Sequence, residues 1–294
     1  MLTGMHPDEL PPEVLDDVVS AVGAEIAVVS RLPGGVNAGA LRVQVAGRAD
    51  AVLKAARRTH TNQMQETLRA QRVVGHMRER GYPTPAWLGV GCTAAHIWHL
   101  MDFVDAVPAR ALTPSLVEQL IQINELQADQ ASEPHDHWRY AWRVVTGKEA
   151  SVAGPSGYSP VVSALVERLR LACAGLRPPR EAPDMVHADL NPSNVLVRDG
   201  VVVAAVDIEN AGSGTRATDL VTLHWHTFED SLNGARQRLA TQILDLVGWE
   251  WATALEATQI LLQLEWTIRL GRDDVVRGLV ERGHRALDEL NALR

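Results

Sequence analysis

The stretch HADLNPSN (residues 187–194) is followed by VLVRDGVVVAAVDIE (residues 195–209), and together they decide how the chain is interpreted. Asp199 and Gly200 separate two runs of β-branched residues. An Asp-Gly pair in this setting is a strong signal for a two-residue turn between antiparallel strands. The pattern therefore predicts a β-hairpin directly after the His-Asp-Asn stretch.

The hairpin predicts which side chains share one end. Folding the chain about the turn places Asn194 roughly opposite Ala205 and Asp207 roughly opposite Pro192. Asn194 and Asp207 then emerge near the same open end of the hairpin. Both supply hard oxygen ligands, which suit Mg²⁺ because this ion takes few protein ligands and completes its shell with phosphate and water.

Two residues just before the hairpin complete a catalytic pattern. Asp189 lies in the turn that leads into it, within reach of a hydroxyl group held beside the metal. His187 is placed to hold the loop by hydrogen bonds. A carboxylate that orients an attacking hydroxyl, beside a metal that offsets phosphoryl charge, predicts phosphoryl transfer to an alcohol.

These residues resemble the aminoglycoside phosphotransferase family, which shares the protein-kinase-like fold. Its members typically show H-G-D-x-x-x-x-N, a hairpin, and then I-D-W/F-E; this chain has His187-Ala188-Asp189, Asn194 and then Val-Asp-Ile-Glu at 206–209. The resemblance implies Asp189 as catalytic base and Asn194 and Asp207 as Mg²⁺ ligands. It implies ATP as phosphoryl donor and leaves GTP open.

Upstream segments are similar to the nucleotide-binding parts of the family. LPGGVNAGALRVQV resembles the glycine-rich hairpin over the phosphates, where Gly34 and Gly35 would let backbone N–H groups approach oxygen. Lys54 resembles the strand lysine that contacts the phosphates. The segment HLMDFVDA resembles the connector between lobes, which implies that backbone groups of residues 102–104 (Asp102, Phe103 and Val104) meet the adenine edge.

The chain departs from the family pattern at three places. Ala188 replaces the glycine of the catalytic triplet, and Leu126-Gln127 stands where a Leu-His pair often ends the first helix of the large lobe. The helix glutamate that pairs with the lysine would fall near Ala70. The nearest acidic candidate, Glu66, lies one turn earlier, and we expect it to reach Lys54.

The apolar pattern changes in kind along the chain. In residues 26–56, apolar and polar residues alternate in runs separated by glycine-rich breaks, which predicts an antiparallel meander. Residues 61–80 predict a helix, and a short pair of strands is predicted after it. Residues 112–131 and 160–174 predict helices on either side of an irregular segment, and the chain after the hairpin is predicted to be helical.

With the resemblance, this layout predicts an α+β, protein-kinase-like bilobal fold with a small antiparallel-sheet lobe and a larger helical lobe. We expect a nucleotide-binding lobe at 1–100, a connector at 101–106, and a helical lobe with the catalytic loop and substrate site at 107–294.

The composition of the chain limits the classes of molecule that it is expected to bind. A net charge of −8 argues against nucleic acid and favours a neutral or cationic ligand. No apolar run is long enough to span a bilayer, and the N-terminus does not resemble a signal peptide. Two cysteines give no disulfide framework. We therefore expect a cytoplasmic protein without a membrane partner, as a monomer or weak dimer.

Candidate substrate residues lie in the helical half. Carboxylates near helix ends could form an acidic rim for a polycationic molecule, and an aromatic side chain could line a pocket. The candidates are Glu229, Asp230, Glu265, Asp273, Asp274 and Trp225. Asp219 is predicted to be structural, tying down the loop after Asp207. The His-x-His pairs at 135–137 and 224–226 lack a third ligand and do not predict zinc.

The predicted function is ATP- and Mg²⁺-dependent phosphorylation of a hydroxyl on a cationic antibiotic, an aminoglycoside or a basic peptide of the viomycin and capreomycin kind, which would confer resistance. One alternative is a metabolic kinase for choline, homoserine or a sugar. An alternative from another class is a catalytically silent scaffold with the same fold, which intact Lys54, Asp189, Asn194 and Asp207 disfavour.

Overall fold

The computed structural model of the chain describes residues 10–32 and 39–294. The strands are β1 (Ile26–Arg31), β2 (Ala40–Val45), β3 (Ala51–Arg57), β4 (Trp87–Cys92), β5 (His96–Asp102), β6 (Val107–Pro108), β7 (Asp184–Val186), β8 (Val195–Arg198), β9 (Val201–Ala205) and β10 (Gly212–Gly214). The helices are α1 (Pro12–Val22), α2 (Gln63–Arg78), α3 (Pro114–Glu125), α4 (His137–Val145), α5 (Pro160–Ala172), α6 (Ala217–Trp225), α7 (Asn233–Arg269) and α8 (Asp273–Ala292).

The chain divides into two compact units. The first contains the described residues up to Arg110 together with Ser193–Ala211, and the second contains Ala111–Pro192 together with Gly212–Arg294. The hairpin of β8 and β9 therefore belongs to the strand-rich unit, although in sequence it follows residues 187–192 of the second unit, called the catalytic stretch below. Within the described residues, no helix has both the length and the apolar character needed to cross a membrane.

The first unit is built on an antiparallel sheet, as the alternating pattern predicts. Its five strands follow the order β1-β2-β3-β5-β4. Alternate side chains of β2, β3 and β5 pack with α1 in a core that includes Val43, Leu53 and Trp98. The sequence pattern does not predict α1, although its signals are present: a proline begins the helix and Gly23, with a left-handed φ of 70°, ends it.

The predicted hairpin is confirmed, with its register shifted by one residue. Asp199 and Gly200 form the turn with φ of 52° and 77°, the positive values that an Asp-Gly turn requires. Val195 pairs with Ala205, and the ladder slips between Leu196 and the following residue. Asn194 consequently lies opposite residue 206 rather than Ala205, because an irregularity inserts one extra residue into β9.

The second unit is mainly helical, as predicted. Helices α4, α5, α7 and α8 enclose a core that includes Leu165, Trp225 and Leu264. The segment interpreted as irregular from its sequence contains α4, which begins where the Asp136 side chain accepts a hydrogen bond from the Arg139 N–H at 2.8 Å. An aspartate at the N-cap position, here Asp136, is a sequence signal for the start of a helix, and the prediction of an irregular segment did not use it.

Candidate active site

The lysine of β3 lies in a cluster of charged side chains within the first unit. Lys54 Nζ is 2.7 Å from Glu209 Oε1 and also contacts the carboxylate of Asp207. Only 15% of the Lys54 side chain is exposed, so its ammonium group depends on these carboxylates to replace lost hydration.

Glu209 has no role in the sequence pattern beyond its place in the motif, yet it is a direct partner of Lys54. Desolvation by itself raises the pKa of Glu209, but Lys54 and His99 reverse this effect and hold the pKa well below its usual range. The Glu209 carboxylate is therefore ionised at neutral pH. It remains a fixed negative partner for the lysine.

The expected pairing of Glu66 with Lys54 is wrong in this structure. The Glu66 carboxylate is 3.4 Å from His60 Nε2, and 47% of its side chain is exposed. The reason is its position on the first turn of α2, one turn before the buried Ala70. The helix instead presents Arg69, whose guanidinium donates to the main-chain carbonyls of Ala211 at 3.2 Å and Glu209 at 3.4 Å.

Because Glu66 does not contact Lys54, Glu66→Gln should leave the affinity for MgATP, the ligand that the resemblance implies, within about twofold of the unaltered protein. Glu209→Gln removes a direct partner of Lys54, and we expect it to weaken MgATP binding by about tenfold or more. Isothermal titration calorimetry of the two matched variants tests this. A larger effect from Glu66→Gln than from Glu209→Gln would contradict it.

The two candidate Mg²⁺ ligands lie on neighbouring parts of the hairpin in the first unit. Asn194 is 6% exposed, and its carbonyl oxygen accepts a hydrogen bond from the Val206 N–H at 2.8 Å. Asp207 follows directly, with a left-handed φ of 65°. One amide and one carboxylate are hard oxygen donors of the kind that Mg²⁺ takes from a protein, so these residues fit the ion.

The catalytic stretch is anchored within the second unit by Asp219 of α6, which is fully buried. Its carboxylate accepts hydrogen bonds from the main-chain N–H groups of His187 at 2.7 Å and Ala188 at 2.9 Å. Ala188 has a φ of 71°, which costs a residue with a side chain about 1–2 kcal/mol. The two charge-assisted hydrogen bonds offset this strain and explain how alanine occupies a position where the family pattern has glycine.

His187 and Asp189 lie next to this anchor. The His187 imidazole is fully buried, and its Nδ1 accepts a hydrogen bond from the Asp189 N–H at 3.3 Å. The Asp189 carboxylate accepts a hydrogen bond from Asn191 Nδ2 at 2.7 Å and is partly exposed. Asp189 is thus an oriented, solvent-accessible acceptor, which is what a general base for a hydroxyl requires.

The Leu-Gln departure has a structural consequence. Gln127 Nε2 donates to Asp219 Oδ2 at 2.8 Å, and the Gln127 side-chain oxygen accepts from Asn124 Nδ2. Asn124 Nδ2 also donates to the carbonyl of Arg216 at 3.0 Å. These buried side-chain amides supply a further hydrogen bond to the Asp219 carboxylate, so the loop at His187 and Ala188 is held by a connected polar network.

Burial raises the pKa of Asp219 to about 6, with a smaller contribution from Asp189, although the hydrogen bonds from His187, Gln127 and Ala188 oppose the rise. Since the folded state has the higher pKa, it binds more protons than the unfolded state between about pH 4 and 6. The free energy of unfolding should therefore decrease as pH rises through this window, by up to about 3 kcal/mol from this group.

Asp219→Asn should remove that component of the pH dependence and lower stability at every pH, because an amide replaces one acceptor oxygen with a donor. Urea unfolding at a series of pH values measures the difference. Asp245→Asn, which changes an exposed carboxyl group on α7, is the matched control. An Asp219→Asn curve parallel to that of the unaltered protein would contradict the assignment.

The connector segment lies in the first unit. The N–H groups of Asp102 and Phe103 donate to the carbonyls of Ala86 at 2.9 Å and Asp50 at 3.1 Å. Of the N–H groups of Asp102, Phe103 and Val104, only that of Val104 has no main-chain partner within residues 10–32 and 39–294. The expected phosphate-binding glycines, Gly34 and Gly35, lie outside the described residues.

The substrate candidates do not form one cluster. Glu265 Oε2 is buried without a hydrogen-bond partner and lies close to Gly154, while Asp273 accepts a hydrogen bond from Tyr158. The same short segment, residues 154–158, therefore borders both carboxylates. Glu229 and Asp230 are exposed and precede α7, and no described contact joins them to this group.

The structure does not support a substrate contact for Trp225. Its side chain is 1% exposed within the core of the second unit, and the Arg282 guanidinium lies 5.0 Å from its ring centroid. Trp225 lies in the core because its indole ring has a large apolar surface, and burying all of that surface stabilises the fold.

The sequence pattern assigns no contact to Glu209, His99 and Arg69 in the first unit or to Asn124 in the second, and it marks Gln127 only as a departure from the family. Glu209 stands in the motif and could have been found there. The others become visible only through pairing between strands and helices, which spacing along the chain does not reveal.

The pattern of the phosphotransferase enzyme family (APH) matches residues 28–255. No curated protein sequence matches the chain. Among solved structures, aminoglycoside phosphotransferase APH(4)-Ia in ternary complex with AMP-PNP and hygromycin B, a thermostable mutant, is 16% identical with a TM-score of 0.72 over 94% of this chain and 98% of that one. An aminoglycoside-3'-phosphotransferase of type VIII is 21% identical, with a TM-score of 0.55 over 83% and 98%.

A structure described as a candidate fructosamine-3-kinase from Thermobifida fusca is 18% identical, with a TM-score of 0.59 over 94% of this chain and 98% of that one. These likenesses confirm the predicted protein-kinase-like α+β fold. The family match covers most of the chain, including the catalytic stretch, the hairpin and the strand lysine. The chain belongs to the phosphotransferase enzyme family and is a small-molecule phosphotransferase.

Proposed function

We propose that the protein transfers the γ-phosphoryl group of ATP to a hydroxyl of a small cationic molecule, such as an aminoglycoside or a basic peptide of the viomycin and capreomycin kind. The observation that carries the proposal is the catalytic stretch held by Asp219, which presents Asp189 as an oriented acceptor. In a cytoplasm containing such an antibiotic, this reaction would confer resistance.

Each residue has a defined task in this proposal. Asp189 accepts the proton of the attacking hydroxyl, and His187 keeps the Asp189 main chain in place through its Nδ1 atom. Lys54 binds phosphate oxygens, and the Val104 N–H meets the adenine edge. Asn194 and Asp207 would hold Mg²⁺, which would offset the negative charge of the phosphates.

The cationic character of the substrate rests on charge. Glu265 contributes a carboxylate beside Gly154, and its buried Oε2 has no hydrogen-bond partner among the described residues. Asp273, Glu229 and Asp230 add exposed negative charge in the same unit, and the net charge of the chain is −8. A multiply charged amine is attracted to such a surface at low ionic strength.

A sugar-type metabolic substrate is the second candidate, because two solved structures with this fold are described as candidate fructosamine-3-kinases. An ADP-release assay across aminoglycosides, basic peptide antibiotics, fructosamines, choline and homoserine separates the classes. Turnover of an antibiotic that Asp189→Asn abolishes would support the first candidate. Turnover of a fructosamine alone would support the second, and no turnover with no ATP-induced thermal shift would favour a silent scaffold.

A further inference from the structure

His99 lies beside the Lys54–Glu209 ion pair and is not used by the proposed reaction. In the sheet of the first unit, His99 of β5 pairs directly with Lys54 of β3. Its Nε2 atom is 3.1 Å from Glu209 Oε1, the same oxygen that accepts from Lys54 Nζ at 2.7 Å. Only 7% of His99 is exposed, and its buried Nε2 atom lies at ion-pair distance from Glu209, although the angle of this contact falls short of a hydrogen bond.

The His99 ring is held in one plane. The Trp87 ring stacks on it with centroids 4.3 Å apart and an angle of 10° between the planes. Strand pairing fixes the main chain on both sides, through Lys54 on β3 and Val90 on β4. A ring fixed in this way presents Nε2 to the carboxylate at little further cost in conformational entropy.

Glu209 is held from a second direction. Arg69 of α2 donates to the Glu209 carbonyl at 3.4 Å and to the Ala211 carbonyl at 3.2 Å, which ties the segment after Asp207 to the helix. The helix itself supplies no acid to Lys54, since Glu66 faces His60. The acidic partner of the lysine therefore comes from the segment after the hairpin, and a histidine on the sheet backs it.

We propose that His99 is a positioning residue that acts on Lys54 through Glu209. The inference rests on the proposed function, in which Lys54 contacts the phosphates of ATP. Asp207 also contacts Lys54, but it is a candidate metal ligand and would be engaged elsewhere when nucleotide is bound. The His99–Glu209 pair would then keep Lys54 oriented toward the phosphates while Asp207 binds the metal ion.

Two substitutions separate the ring nitrogen from the ring. His99→Phe keeps stacking with Trp87 but removes Nε2, whereas His99→Gln places an amide N–H near the same position. We expect His99→Phe to raise the MgATP dissociation constant and the KM for ATP about five- to tenfold with a smaller change in kcat, and His99→Gln to stay within about twofold. Should His99→Phe not fold, His99→Asn, whose amide is too short to reach Glu209, provides the same comparison.

A second pair of measurements tests the route through Glu209. In a Glu209→Gln background, His99→Phe should have no further effect on MgATP affinity, because coupled residues are not additive. The ¹⁵N resonances of the His99 ring should also differ between the unaltered protein and Glu209→Gln without any nucleotide present. Equal affinities for the unaltered protein and both His99 variants, or additive effects in the double variant, would overturn the inference while the proposed function stands. No MgATP binding by the unaltered protein would instead overturn the proposed function, and the role of His99 with it.

Discussion

Replacing Asp189 with asparagine is expected to lower kcat by about 10²–10⁴-fold, the range that a positioned general base contributes. The substitution keeps the shape of the side chain and its ability to accept the hydrogen bond that Asn191 donates at 2.7 Å. It removes the negative charge that attracts the proton of the attacking hydroxyl. Because the main chain of the stretch is held by Asp219, the loop should not rearrange.

The measurement is steady-state turnover with the acceptor that the substrate panel identifies, together with calorimetry of MgATP binding. We expect the nucleotide affinity and the thermal unfolding temperature of Asp189→Asn to match those of the unaltered protein, so that only the chemical step is affected. A kcat within tenfold of the unaltered enzyme would remove Asp189 from the role of base.

The turn and the register of the hairpin show how much of the fold could be predicted from the sequence. The Asp-Gly pair at 199–200 has a local cause, since few residues adopt two successive positive φ values, and the hairpin appears where predicted. Its register was displaced by one residue because the slip after Leu196 depends on how β8 and β9 pack. No local pattern in a run of valines and alanines marks where an extra residue will be inserted.

The acidic partner of Lys54 could not be identified from the spacing of residues along one helix. Glu66 is close to Lys54 in sequence, whereas Glu209 is 155 positions away and reaches it only after the hairpin packs in the first unit. His99 is brought opposite Lys54 by the pairing of β3 with β5. Which acid a cation meets is decided by this tertiary arrangement, and the alternation of polar and apolar residues carries no information about it.

The same reasoning explains the aromatic and acidic candidates of the second unit. Trp225 follows a helical stripe of apolar residues in α6, so its burial in the core was the simpler outcome of the pattern. Glu265 could not be distinguished from the exposed carboxylates by sequence alone. Its difference arises from the close approach of Gly154, which encloses one oxygen of the carboxylate.

Asp207→Asn is expected to lower kcat/KM by about 10³-fold or more and to abolish the stimulation of activity by Mg²⁺, because in the proposed function a charged ligand of the ion is replaced by a neutral one. Asp207 has a left-handed φ of 65°. Asparagine adopts this conformation as readily as aspartate, so the main chain should be preserved. The substitution therefore isolates the carboxylate charge from the geometry of the turn.

Asp199→Asn is the matched control. Asp199 also has a positive φ, of 52°, and lies in the exposed turn of the same hairpin. Turnover measured across a Mg²⁺ titration should be unchanged for Asp199→Asn and lost for Asp207→Asn. Lys54 would still contact Glu209 in the Asp207 variant, since that ion pair does not involve Asp207. Retention of Mg²⁺-dependent activity by Asp207→Asn would mean that other residues bind the ion, and it would contradict the assignment of Asp207 as a metal ligand.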